Sequence, residues 1–139
     1  MNILFLCVAN SARSQMAEGF AKAMLGSNHN IQSAGSIPSG KVHPYAISTM
    51  KDIGIDLSDH HSKSIDDLDK DFLLNLDYAI TLCAEEVCPV LPGSANSLHW
   101  MNEDPANDTY TEVQLQNSFM TTRENIYILI KKFMIMNVQ

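Results

Sequence analysis

The stretch Cys7-Val8-Ala9-Asn10-Ser11-Ala12-Arg13-Ser14 constrains the fold more than any other, because of what flanks it. Before it, Asn2-Ile3-Leu4-Phe5-Leu6 is a short, branched, apolar run that reads as a fully buried strand. After it, Met16, Ala17, Phe20, Ala21 and Met24 recur at helical spacing until Gly26 supplies a stop. The stretch is therefore a strand-to-helix turn, with a thiol at its start and a guanidinium six residues on. Such a turn aims several backbone N–H groups into one cavity, and the dipole of the following helix favours an anion there. The same field favours the thiolate, the nucleophilic form, at Cys7. Arg13 adds a planar donor fork suited to a tetrahedral oxyanion. A buried cysteine ending a strand is more often just a small hydrophobe. Here the Cys-x5-Arg spacing falls on a strand–loop–helix junction, and Arg13 is one of only two arginines, the other being Arg123.

Downstream, Ile31-Gln32-Ser33-Ala34 reads as a second strand and Ser36-Ile37-Pro38-Ser39-Gly40 as a loop. Pro44 suits the first position of a helix with Ala46, Ile47, Met50 and Ile53 on one face and Gly54 at its end. Residues 56–63 are polar and irregular, and Ser64 caps a helix start with acids in its first turn. The run Asp66, Asp67, Asp69, Asp71 reads as a solvated face rather than a metal site. Leu76 to Leu82 is a third strand, ending at Cys83, and Ser97 to Trp100 a fourth. A last helix runs from about Thr111 to Met136, with Met120, Ile126, Leu129, Ile130 and Phe133 as its buried stripe. Strands alternating with helices predict an α/β fold: one domain over 1–139, a four-stranded parallel sheet with helices on both faces. Ligands of such sheets sit beyond the carboxyl ends of the strands. Cys7, Cys83 and Asp104 all fall there.

Cys7 is the candidate nucleophile, and Arg13 with the amides of Val8, Ala9, Asn10, Ser11, Ala12 and Ser14 forms the candidate oxyanion site. Ser14 is placed to donate to the thiolate, or to satisfy free amides at the helix start. Asn10 tolerates a left-handed backbone and can brace the loop. Asp104, directed by Pro105, is a candidate proton donor for a departing oxygen, with Glu103 as rival and an ordinary loop acid as the plain alternative. Cys83 and Cys88 lack two further ligands at metal spacing. They read either as inert thiols or as a dithiol closing a small loop. In a regular helix, residues five apart face different ways, so a Cys83–Cys88 disulfide requires the segment to loop out or unwind. The five histidines show no metal spacing, and surface or supporting roles are their default.

A formal charge of −7 argues against nucleic acid or an anionic membrane surface as partner. It also leaves an anionic substrate to be held by local donors rather than steered from afar. The apolar opening lacks a basic flank and cleavage site, and no run is long enough to span a bilayer. Three cysteines in a chain without export signals predict reduced thiols in the cytoplasm.

The chain resembles the thioredoxin-coupled arsenate reductases, which share the fold of the low-molecular-weight protein tyrosine phosphatases. The resemblance runs through Cys7 to Phe20, Ser33-Ala34-Gly35, Pro38-Ser39-Gly40, Val42-His43-Pro44, Gly54-Ile55-Asp56, Thr81-Leu82-Cys83, Cys88-Pro89, His99-Trp100 and Asp104-Pro105-Ala106. The Cys-x5-Arg-Ser loop and Asp-Pro are shared with the phosphatases, whereas Ser-Gln-Met-Ala-Glu-Gly and the paired cysteines belong to the reductases. The resemblance implies that Cys7 attacks arsenate held by Arg13 and the loop amides, while Asp104 protonates the departing oxygen. It implies that Cys83 then attacks Cys7, releasing arsenite, and that Cys88 attacks Cys83 to leave a disulfide reduced by thioredoxin. No bound cofactor is expected; phosphate and sulfate are expected competing anions, and the chain is expected to be a monomer. The Cys83–Cys88 spacing is shorter than in the best-known members, which leaves glutathione and glutaredoxin as an alternative reductant. Some relatives have a second loop cysteine where Ala12 stands here. Some bind potassium through residues matching Asn10, Glu18 and Ser33 plus an aspartate. Lys63 stands in the aspartate's place, and its ammonium is expected to take over the cation's role. The alternatives are a phosphotyrosine phosphatase using Cys7, Arg13 and Asp104 alone, and a redox-switched protein that merely senses an oxyanion.

Overall fold

The computed structural model describes residues 1–83 and 95–138. At its centre lies strand β1 (Asn2–Cys7), whose side chains alternate between two cores. Ile3 and Phe5 enter the larger core and Leu4 and Leu6 the smaller, all at most 1% exposed, which is why the run is apolar throughout instead of alternating. Strands β2 (Asn30–Gly35), β3 (Tyr78–Thr81) and β4 (Asn96–His99) complete a parallel sheet in the order β2-β1-β3-β4. The chain moves from β1 outward to β2, then crosses back to β3 on the other side of β1. The strand order therefore reverses at the carboxyl ends of β1 and β3, where open α/β sheets form their crevice.

Helices α1 (Arg13–Leu25), α2 (Pro44–Lys51) and α4 (Glu112–Asn137) pack against one another on one face. The short helix α3 (Lys70–Leu74) lies in chain order between α2 and α4. Its Phe72, with Leu68, covers Leu4, Leu6 and Ala34 in the other core. Both faces of the sheet are covered, as the sequence predicts. Gly26 ends α1 with φ 84°, and the Thr111/Gln114 capping box starts α4 where the sequence places it.

Three local expectations change. Ser64 caps a single 3-10 turn (Ile65–Asp67) in a box with Asp67, and α3 starts separately at the cap Asp69. The acidic run thus supplies caps at the surface, because a carboxylate accepts the free amides of a helix start. On α4 the buried residues are Phe119, Thr122, Arg123, Ile126, Ile130 and Phe133, with Leu129 half-buried, while Met120 is 45% exposed. Arg123 donates to the Thr49 carbonyl at 2.9 Å and so ties α4 to α2. Finally, α2 stops at Lys51, Ile53 is exposed, and Leu57 from the polar stretch is fully buried in the core.

Candidate active site

The oxyanion loop joins β1 to α1, and its carbonyls show how its peptides lie. Val8 O accepts from Ile37 N–H at 2.9 Å, Ala9 O from Ser39 N–H at 2.9 Å, and Ser11 O from His43 N–H at 2.8 Å. The 36–43 segment therefore wraps the loop from outside. In a planar trans peptide the next N–H points opposite to the carbonyl, so Ala9, Asn10 and Ala12 turn their amides inward. Asn10 N–H accordingly lies 3.1 Å from Cys7 Sγ. Ala12 O is taken by Met16 N–H within α1, which turns the Arg13 amide toward the same cradle. Gly35 makes the wrap possible: a Cβ there would collide with Val8 O and stand 3.0 Å from Asn10 N.

Below the loop the first half of α1 is buried on every side, its polar residues included. Ser14 Oγ lies 2.8 Å from Cys7 Sγ and accepts from Asn10 Nδ2 at 2.8 Å. Its hydroxyl is free to turn to the sulfur, which then accepts from both Ser14 and the Asn10 amide. Asn10 adopts φ 49°, the left-handed conformation read from its type. Its Nδ2 also donates to Ser33 Oγ at 3.0 Å, and its Oδ1 accepts from Lys63 N–H at 2.9 Å. Ser33 in turn donates to Glu18 Oε1.

Glu18 is faced by Lys22 Nζ at 2.6 Å, His60 Nδ1 at 3.6 Å and Lys63 Nζ at 3.8 Å. Burial alone would push its carboxyl up. The hydrogen bonds of Lys22 and Ser33 and the charges of His60 and Lys63 more than offset that, so it lies below the ordinary carboxylate value. Burial pushes His60 and Lys63 down, with Glu18 opposing in each case. Asn10, Glu18, Ser33 and Lys63 are thus brought together as one cluster. Among the described residues no group of three or more histidines, cysteines or acids is arranged to hold a metal ion.

Arg13 is 5% exposed, and its Nη1 donates to Asn102 O at 2.9 Å, so the guanidinium is anchored by the segment after β4. That segment also carries the candidate acids. Glu103 and Asp104 are both exposed, and Asp104 Oδ1 accepts from Ala106 N–H at 3.0 Å in the turn shaped by Pro105. The Asp104 charge acts on His43, whose imidazole burial holds below its ordinary value. Cys83 follows β3 one position beyond Leu82, whose N–H bonds Leu6 O at 2.9 Å. It is buried and disulfide-bonded, whereas Cys7 is a buried free thiol. Cys88 lies outside the described residues.

The sequence reading missed Gln15 and Asn102, and gave His60 only the surface or supporting role common to the histidines. Gln15 Nε2 reaches Asn10 Oδ1 at 2.9 Å and His61 O at 2.8 Å. Asn102 acts through its backbone carbonyl, for which a side-chain type carries no signal.

A sheet of this order with a Cys-x5-Arg loop at its reversal point is the architecture of a phosphatase-like oxyanion enzyme. A family model described as low-molecular-weight phosphotyrosine protein phosphatase matches residues 2–127, and the chain belongs to that family. Within it, the chain is similar to arsenate reductases. Arsenate reductase 1 of Staphylococcus saprophyticus is 43% identical over 133 residues, 94% of each chain. Among solved structures, an arsenate reductase in the phosphate-binding state gives a TM-score of 0.76 at 33% identity, covering 96% of both chains. The thioredoxin-dependent arsenate reductase of Corynebacterium glutamicum gives 0.68 at 29% identity, covering 97% of this chain and 62% of that one.

Proposed function

We propose that this protein is an arsenate reductase of the cytoplasm, working as one unit and as a monomer. The observation that carries the reading is the free Cys7 thiol, hydrogen-bonded to Ser14 Oγ and the Asn10 N–H under an amide-lined loop, beside a second strand end that carries the disulfide-bonded Cys83. The similarity to arsenate reductases supplies the substrate.

Arsenate binds to the amides of the loop, from Val8 to Ser14, and to the Arg13 fork. The Cys7 thiolate attacks arsenic, an As–O bond breaks, and Asp104 delivers the proton with which that oxygen leaves as water. Cys83 thiolate then attacks Cys7 sulfur. The S–As bonding pair passes to arsenic, reducing As(V) to As(III), and arsenite departs as a Cys7–Cys83 disulfide forms. Cys88 thiolate displaces Cys7 from Cys83, and an external dithiol reduces the resulting Cys83–Cys88 disulfide. The net change is arsenate plus two thiols to arsenite, water and one disulfide. The likeness to a thioredoxin-dependent enzyme supports thioredoxin as reductant, with glutaredoxin and glutathione as the other route. Among the described residues no helix is long and apolar enough to cross a membrane. We further propose that the Lys63 ammonium serves Glu18 in place of a bound cation; marked stimulation by potassium over sodium would count against it.

The decisive assay is arsenate-dependent NADPH consumption with thioredoxin and thioredoxin reductase. No consumption, alongside brisk hydrolysis of an aryl phosphate, would establish the phosphatase reading that the family model favours. Cys88→Ser is expected to stop after about one turnover with a Cys7–Cys83 bridge. Repeated thioredoxin-driven cycling by that variant would refute the relay.

A further inference from the structure

Gln15 is completely buried, and every polar atom of its side chain is engaged. Its Nε2 lies 3.2 Å from Asn10 O, 2.9 Å from Asn10 Oδ1 and 2.8 Å from His61 O. All three are acceptors, so this atom is the amide nitrogen, with one proton shared between the two Asn10 oxygens. Gln15 Oε1 must then be an acceptor, and it faces His60 Nδ1 at 3.0 Å. The proton on His60 is therefore on Nδ1. His60 Nδ1 also lies 3.6 Å from Glu18 Oε2, and the ring feels the charges of Lys22, Lys63 and His61.

The place where Gln15 grips is the one non-glycine residue with positive φ among the described residues, Asn10. Asn10 is also the residue whose N–H reaches Cys7 Sγ. Left-handed backbone is an uncommon conformation for a residue with a side chain and persists only where its surroundings over-determine it.

We infer that Gln15, oriented by the Nδ1 proton of His60, is the positioning residue that holds Asn10 left-handed and so keeps the loop amides turned inward on the anion. Neither side chain is assigned contact with the substrate. The inference rests on the oxyanion reading of the Cys7 loop, not on arsenic as the substrate.

The test follows iodoacetamide alkylation of Cys7 in the reduced full-length chain, quantified on its own peptide by mass spectrometry, with inorganic phosphate as protectant. Gln15→Glu keeps the shape but presents acceptors to acceptors. The phosphate concentration that halves alkylation is expected to rise about tenfold in Gln15→Glu and about threefold in His60→Ala. His60→Asn places an amide N–H near the Nδ1 position and is expected to stay within about twofold of the parent chain. Circular dichroism confirms that each variant is folded. Protection at the parental phosphate concentration in folded Gln15→Glu and His60→Ala would overturn the inference. If Gln15→Glu does not fold, the His60 pair decides, and equal loss in His60→Ala and His60→Asn overturns it. Absence of phosphate protection in the parent chain would instead overturn the oxyanion reading itself.

Discussion

The floor and the rim of the loop are built in opposite ways. On the floor, Asn10, Ser14, Gln15 and Ser33 are fully buried, and each is bonded to another member of the set. On the rim, Met101, Glu103 and Asp104 stand in solvent, and the tie that holds Asp104 is to its own turn. Arg13 spans the two, rooted in α1 and anchored to the Asn102 carbonyl. The contrast teaches a division of labour. The proposed nucleophile and anion cradle need fixed geometry, and buried polar groups hold geometry because leaving any one unpaired is costly. A proton donor must meet successive species of different charge, and solvent access lets it recharge between them.

The comparison can be broken at several points. Cys7→Ser removes the nucleophile and is expected to lower kcat by about 10⁴-fold or more in the coupled NADPH assay, with arsenate still able to bind. Arg13→Lys exchanges the fork for a point charge and loosens the tie to Asn102; kcat/KM is expected to fall by about 10²- to 10³-fold. Asp104→Asn on the rim is expected to cost about 10² in kcat with an unchanged urea midpoint, and Glu103→Gln less than about twofold. A larger loss in Glu103→Gln than in Asp104→Asn would instead give the acid role to Glu103. Asn10→Ala on the floor is expected to lose about 2–4 kcal/mol in urea unfolding, because it forfeits both the side-chain bonds and the residue type that tolerates φ 49°. Asn10→Gly keeps the backbone and separates the two contributions.

The smallest effect is on pH. His43 and His60 lie below the ordinary histidine value of 6.5, chiefly through burial, with Asp104 and Glu18 respectively opposing. The unfolded chain therefore takes up protons first as pH falls below that value, and stability declines on acidification. Glu18, held below its usual 4.5, adds a further loss at more acid pH, as protonation removes its ion pairs. The urea midpoint is expected to fall between pH 7 and 5, less steeply in His60→Asn. Identical slopes would show that His60 contributes nothing to this dependence.

Much of this arrangement is legible from residue types. The Ile3-to-Leu6 run reads as a fully buried strand, and Gly26, Pro44 and Thr111 mark helix ends by backbone chemistry that travels with the residue. Asn10 and Ser14 sit next to the groups they serve, so their roles follow from adjacency. Where local periodicity competes with packing, the sequence misleads. Met120 and Phe119 fit almost the same stripe, and Phe119 is the one turned inward, its ring tilted against His43 at 4.8 Å and Tyr45 at 5.8 Å. Ile53 and Leu57 exchange expected places because Gly54 lets the chain fold back over α1. Gln15 and His60 stand 45 residues apart, and nothing in either type announces that they meet.

The run from Glu18 to Cys7 has a consequence for the direction of its protons. A carboxylate only accepts, so Ser33 must point its hydroxyl at Glu18 and receive from Asn10. Asn10, held by the Lys63 N–H at its Oδ1, presents its amino group to Ser14 as well, which leaves the Ser14 hydroxyl free to turn to the sulfur. The charge of Glu18, four residues down the helix from Ser14, and the Lys63 N–H thus fix the direction of the bonds between them as far as Ser14. With an amide at position 18 the Ser33 hydroxyl would lose its obligatory acceptor, while the Lys63 N–H would still hold Asn10 the same way round.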